Sequence, residues 1–482
     1  MKKTAVLLFF LVTGVLVYGQ DSNNIKPFII DGQLKNCKDK QITLGWHDTN
    51  GEWIYDTADV GPDGTFHLES NKVTKPMSVS LQLQNSFFTS LYAAPGYKLH
   101  ITADCTDRPT ESVTKQVTGY GATANQYLFK QDSIGDRKEY YKLNPSELLV
   151  YANHHKKLCD SLFNVVYGKG NNTDEYYDYF KKKIQLNNEF QRIDMLTYGI
   201  AGDTTLNYKQ TVDYVNKNIK KEILENLFQK DFLISDAYVS MMDDGYYIYL
   251  LKLEKKKGIV PDNKRYRIDA ARIIAENYKG KIKDMALYSQ LYQAVEFARS
   301  FEELNLYKKE FPPYMTLLER QSERDAINKM TQMKEGQLLK TQVGRPAPAF
   351  TASDKDGKVY SIADYKGKVV LLDLWASWCE PCRGETPYLK KVVEKYKSEP
   401  RLAFISVAVL DKKPNWENAM KQDKPTWLQL FDSNSTVQSA YVANSIPKFI
   451  IIDKQGNIVS FDAPMPHEAA DLEKILDQEI AK

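Results

Sequence analysis

The stretch Trp375-Ala376-Ser377-Trp378-Cys379-Glu380-Pro381-Cys382 holds two cysteines separated by two residues, which can cycle between dithiol and disulfide without rearranging the chain. The run before it, Lys368-Val-Val-Leu-Leu-Asp-Leu-Trp375, reads as a buried strand. Behind it Leu389, Val392, Val393 and Tyr396 recur at helical spacing. The pair therefore sits where a strand becomes a helix. Unpaired N–H groups and the positive dipole end of that helix favour a thiolate at Cys379. A zinc half-site would need further ligands nearby, and the adjacent His154 and His155 lie far upstream. On a helix those two would point about 100° apart and could not chelate together. A structural cross-link is also a poor reading, since so short a ring constrains little chain. Redox chemistry is what the spacing supports.

Other motifs fall into place around this pair. Val343-Gly-Arg-Pro-Ala-Pro-Ala-Phe350 precedes it, and Pro387 lies within the following helix. Ser445-Ile446-Pro447 leads into the apolar strand Phe449-Ile-Ile-Ile452 and the turn Asp453-Lys-Gln-Gly456. On these residues the stretch from Val343 to Lys482 resembles the TlpA/ResA-like branch of the thioredoxin superfamily, the exported thiol–disulfide oxidoreductases. The resemblance implies an exposed, attacking Cys379 and a resolving Cys382, with the redox-active disulfide itself serving in place of any cofactor or metal. It implies a cis-proline loop in which Ile446 and Pro447 offer backbone to an extended client, bordered by Trp378, Glu380 and Pro381. Lys448 departs from the threonine that many relatives place after this proline. Trp375 and Trp378 read as packing and shielding groups.

Two carboxylates belong to the candidate site. Asp373, on the apolar strand six residues before Cys379, would be desolvated, with a raised pKa suited to exchanging a proton with Cys382. Glu385, three residues after Cys382, matches an acidic residue of the ResA-like branch; a solvated helix face is its alternative. Ionised Asp373, Glu380 and Glu385 disfavour thiolate. They should keep the couple reducing, nearer thioredoxin at about −270 mV than a strong oxidant at about −120 mV. Arg383 acts in the opposite sense.

Residues 1–19 read as a signal peptide: basic Met1-Lys2-Lys3, an apolar run from Ala5 to Val17, and the cleavage site Val17-Tyr18-Gly19 before Gln20. The apolar run is short for a bilayer span, and no cysteine follows it for a lipid anchor. The expectation is a protein free of the membrane in the periplasm, or secreted where there is no outer membrane. With 65 basic and 62 acidic residues in 482, nothing points to nucleic acid. Exported clients with disulfides and a membrane-embedded thiol electron donor are the expected partners. Of the other cysteines, Cys37 and Cys105 could pair and leave Cys159 free, or all three are buried thiols.

Periodicity divides the remaining chain. Residues 25–108 alternate in short runs between turn signals, such as Asp48-Thr-Asn-Gly51 and Gly61-Pro-Asp-Gly64, and read as an antiparallel β-sandwich. The pattern resembles the β domain placed ahead of thioredoxin domains in exported Bacteroidetes-type proteins. Residues 119–335 read as an α-helical middle domain, with stripes at Ile223, Leu224, Leu227 and Phe228 and at Leu287, Leu291, Val295 and Ala298; its tyrosine clusters read as core. Residues 343–482 form the C-terminal α/β thioredoxin-like domain. The N-terminal domains would supply client docking, spacing or a homodimer surface. Two alternatives stand beside a disulfide reductase: a thiol peroxidase of related fold, which the Trp-Cys-Glu-Pro-Cys context fits poorly, and a non-enzymatic binding scaffold carrying a redox module.

Overall fold

The computed structural model describes residues 26–37, 39–47, 53–83, 87–106, 113–131, 134, 140–168, 174–259, 265–434, 436–441 and 446–482. The expected signal peptide, the Asp48-Thr-Asn-Gly51 hairpin cue and Ser445 lie outside these residues. The chain forms two compact units that divide between Lys257 and Gly258. The helices between 119 and 335 are shared between them. The helix Tyr246–Lys256 ends at this division, where Gly258 adopts a positive φ of 88° that suits glycine. No described helix is long and apolar enough to cross a membrane.

In the first unit the described residues form eight strands in two sheets. They are β1 (Phe28–Lys35), β2 (Gln41–His47), β3 (Trp53–Asp59), β4 (Thr65–Ser70), β5 (Met77–Leu83), β6 (Phe87–Ala93), β7 (Lys98–Asp104) and β8 (Gln116–Tyr120). The orders are β4-β1-β7-β8 and β3-β2-β5-β6. Alternation places Phe28, Ile30 and Leu34 of β1 inward, and Phe66 and Leu68 of β4 likewise. They share one core with Leu44, Leu81 and Leu91 of the other sheet, so the two sheets form a sandwich. The pairings are antiparallel except for β1 with β7, which run parallel. Gly32 permits their close approach, since a Cβ there would stand 2.4 Å from the Ile101 carbonyl oxygen.

Just beyond these two neighbouring strands, Cys37 and Cys105 form a disulfide, and the Cys105 N–H donates to the Lys35 carbonyl at 2.9 Å. Cys159 is free and buried. The helices Pro145–Tyr167, capped by Asn144 and Glu147, and Tyr177–Gly202 bring Phe163 and Phe180 onto the sandwich core beside Tyr127 and Tyr176. The Ile223–Phe228 stripe is carried by only a short helix, Lys221–Glu225. It stops where the Asn226 side chain donates back to the Glu222 carbonyl.

The second unit begins with helices that include Tyr266–Asn277, Gly280–Glu296 and Gln321–Lys340. Leu287, Leu291 and Val295 are buried on the middle one. A seven-stranded sheet follows in the order β10-β9-β13-β12-β11-β14-β15. The strands are β9 (Thr351–Ser353), β10 (Val359–Ser361), β11 (Val369–Trp375), β12 (Leu402–Ala408), β13 (Leu428–Phe431), β14 (Lys448–Ile452) and β15 (Ile458–Ser460). β11 lies between parallel β12 and antiparallel β14, with every residue buried, as its unbroken apolar sequence requires. Leu389 and Val392 of the helix Glu380–Lys395 and Leu472 and Leu476 of the helix Ala469–Ala481 cover one face; Val437, Tyr441 and Phe350 cover the other.

The Cys37–Cys105 bond closes a loop with a sequence separation of 68. In the chain-entropy model a loop of that length contributes about 4 kcal/mol. The double variant Cys37→Ser/Cys105→Ser is therefore expected to lose about 2–4 kcal/mol of unfolding free energy in urea. Identical midpoints for parent and variant under oxidising conditions would refute the contribution.

Candidate redox active site

The site is built at the end of β11. Trp375 closes the strand, and Ser377 holds the turn: its N–H and its hydroxyl donate to the two Asp411 carboxylate oxygens at 2.6 and 2.8 Å. The helix Glu380–Lys395 starts at once, with Cys379 as its N-cap and the Cys382 N–H donating to Cys379 Sγ at 3.2 Å. Pro381 in the first turn gives up no hydrogen bond there, because first-turn N–H groups have no partner within the helix. Cys379 and Cys382 are joined as a disulfide, with Cα atoms 5.3 Å apart.

The expected exposure of Cys379 is not found. It is only 4% exposed and Cys382 5%. Both pack among Trp375, Ala376, Ala408 and Trp416, with Ile446 against the same cluster. The accessible rim is Trp378, 61% exposed with its indole N–H donating to the Leu410 carbonyl at 2.8 Å, together with exposed Glu380 and Pro381. The Ile446–Pro447 bond is cis. Pairing of Lys448 with Leu374 puts this segment at the same end of the sheet as the cysteines. Lys448 is buried, with its ammonium over the Phe461 ring and 4.0 Å from Asp462, and burial lowers its pKa.

Asp373 lies in β11, two residues before the strand's end, opposite Ser406 of β12. The Ser406 hydroxyl donates to Asp373 Oδ2 at 2.7 Å and accepts from the Trp427 indole N–H at 2.8 Å. Burial pushes the Asp373 carboxyl up to about 7; the Ser406 hydrogen bond opposes this, and the charge of Glu385 adds to it. Glu385 accepts from the His467 backbone N–H at 3.1 Å and pairs with its Nδ1 at 2.7 Å. Arg383 makes a forked pair with Asp423 at 2.8 and 2.7 Å and a further bond to Gln422. Its charge is thus largely spent on Asp423 rather than on sulfur.

Ser406, Asp411, Asp423, Trp427 and His467 escape a reading of the sequence, because strand pairing and helix packing alone bring them to Asp373, Ser377, Arg383 and Glu385. A buried carboxyl that titrates near neutrality can take the proton of one thiol while the other is engaged in a mixed disulfide.

Between roughly pH 4 and pH 7 the folded chain keeps a proton on Asp373 that the unfolded chain releases, so stability falls as pH rises through that window. Asp373→Asn removes this loss. The variant is expected to exceed its parent in stability at pH 8 by up to about 4 kcal/mol, and to resolve mixed disulfides roughly a hundredfold more slowly. Urea unfolding with the same pH dependence in parent and variant would sink the assignment.

The Redoxin family model matches residues 342–476. The thiol-disulfide oxidoreductase ResA of Bacillus cereus is 32% identical over 25% of this chain and 69% of its own length. That of Geobacillus thermodenitrificans is 33% identical over 24% of this chain and 66% of its own. Among solved structures, the thioredoxin domain of a thiol-disulfide oxidoreductase from Bacteroides vulgatus is 30% identical, covering 29% of this chain and 98% of its own at a TM-score of 0.27. With the CxxC at the mouth of the helix and a buried carboxyl on the strand that leads into it, the chain belongs, through its C-terminal domain, to the ResA-like thiol–disulfide oxidoreductases of the thioredoxin superfamily.

Proposed function

We propose that the protein works as an exported reductase, giving electrons to disulfides in other exported proteins and drawing them from a membrane-embedded thiol donor. One observation supports this direction above others. Asp373 lies on the strand that leads into the cysteine pair and Glu385 on the helix that follows it, while the cation next to Cys382, Arg383, is bound by Asp423. Negative charge disfavours thiolate, and a couple whose thiolates are not specially stabilised gives electrons away.

In the cycle, the Cys379 thiolate attacks a client disulfide. A bond forms from Cys379 to one client sulfur, and the other leaves as thiolate. Cys382 then passes its proton to Asp373, and its electron pair forms the bond to Cys379 as the second client sulfur leaves. The client is reduced by two electrons and the enzyme pair is oxidised by two. The sulfurs carry the electrons with no metal or other cofactor. Ile446 and Pro447 meet the client backbone, and Trp378, Glu380 and Pro381 border it. Export rests on the N-terminal segment, read as a signal peptide. The first unit supplies client docking, spacing or dimerisation.

Two measurements test the reading. Equilibration with glutathione is expected to give a potential more reducing than about −200 mV, and a value near −120 mV would overturn the direction. Cys382→Ser is expected to trap exported clients on Cys379 as mixed disulfides. Failure to recover adducts, while the parent turns over, would overturn the cysteine roles.

A further inference from the structure

Glu385 lies one helical turn beyond Cys382, and among the described residues a single residue from near the chain's end engages both its oxygens. The His467 backbone N–H donates to Oε2 at 3.1 Å, and ring Nδ1 lies 2.7 Å from Oε1. An ionised carboxylate has only lone pairs to offer, so Nδ1 carries the hydrogen in this pairing. The seat of His467 is itself fixed. It lies in the turn Pro466–Glu468, where the Glu468 carboxylate accepts from the Met465 N–H at 3.0 Å, and its ring stands edge-on to Tyr388 at 6.1 Å between centroids. Lys391 also meets Tyr388, its ammonium 5.5 Å from that ring's centroid.

We propose that His467 is a positioning residue for thiol–disulfide exchange, fixing the Glu385 carboxylate so that its charge acts on Asp373, the proton acceptor for Cys382. The inference rests on the proton-handling roles given above to Asp373 and Glu385. A glutamate has three rotatable bonds, and without its clamp Glu385 would turn toward water, where its field is screened. Held in place, it is the charged group whose field acts on Asp373. β12 presents the neutral Ser406 hydroxyl and β14 the apolar Phe449 opposite that residue, and Arg383 is bound by Asp423. The clamp therefore governs how strongly Asp373 holds the proton it receives when the Cys382 electron pair closes the disulfide.

The test is a single turnover. Reduced enzyme is converted to the Cys379–thionitrobenzoate mixed disulfide, and release of the yellow thiolate by Cys382 is followed by stopped flow from pH 5 to pH 9. His467→Phe keeps a ring against Tyr388 and removes the donor, whereas His467→Asn keeps a donor at the Nδ1 position. Loss of the Glu385 field lets Asp373 ionise at lower pH. His467→Phe and Glu385→Gln are therefore expected to move the profile's midpoint down by the same amount, roughly half a pH unit or a threefold change in proton affinity. His467→Asn should keep the parent midpoint, and the double variant H467F/E385Q should move no further than either single variant. A parent midpoint in H467F while E385Q shifts, or shifts that add in the double variant, overturns the role of His467 alone. An unmoved E385Q overturns the role of Glu385 and that of His467 with it.

Discussion

The site depends on a carboxyl group kept out of water in the middle of a sheet. Asp373 sits in a strand whose every residue is buried, and the fold bears the cost of holding it there. What makes this tolerable is a single short hydrogen bond from Ser406, itself steadied by the Trp427 indole. That bond favours the ionised form while burial favours the neutral one, and the balance leaves the group able to change state near neutral pH. A fully satisfied carboxylate would be too weak a base for a thiol, and an unpartnered one would never give its proton up.

The same balance assigns different work to the two acids near the cysteines. Asp373 is enclosed and faces one hydroxyl, whereas Glu385 lies nearer the surface with His467 on both oxygens. Environments that differ this much separate the behaviour of like groups, and in the proposed cycle one acid is the exchanger while the other supplies a fixed field. Arg383, which by sequence position counted as a counter-charge to the sulfurs, is turned away by the Asp423 fork.

How much of this was legible in the sequence follows from the range over which each feature is encoded. The strand, the turn and the helix around Cys379 are local, and the uninterrupted run Val369–Trp375 with apolar positions at Leu389 and Val392 declares them. Asp373 is legible for the same reason, as a charge within such a run. The partners Ser406, Asp411, Trp427 and His467 lie in separate segments, and each looks like an ordinary polar or aromatic residue until sheet pairing or helix packing supplies its neighbour. The burial of Cys379 was illegible for a related reason, because Trp416 and Ile446 cover it from elements more than 30 positions away. In the first unit, alternation declares the strands, yet only the pairing register reveals that β1 and β7 run parallel.

An enzyme that trades disulfides and also contains a structural one faces a problem of self-recognition. The Cys37–Cys105 bond ties the ends of two paired strands, and Cys105 is sealed by the sandwich core. In-line attack by a thiolate needs a clear approach to sulfur, which burial denies at Cys105. Burial thereby protects the Cys105 sulfur of this cross-link against thiol exchange.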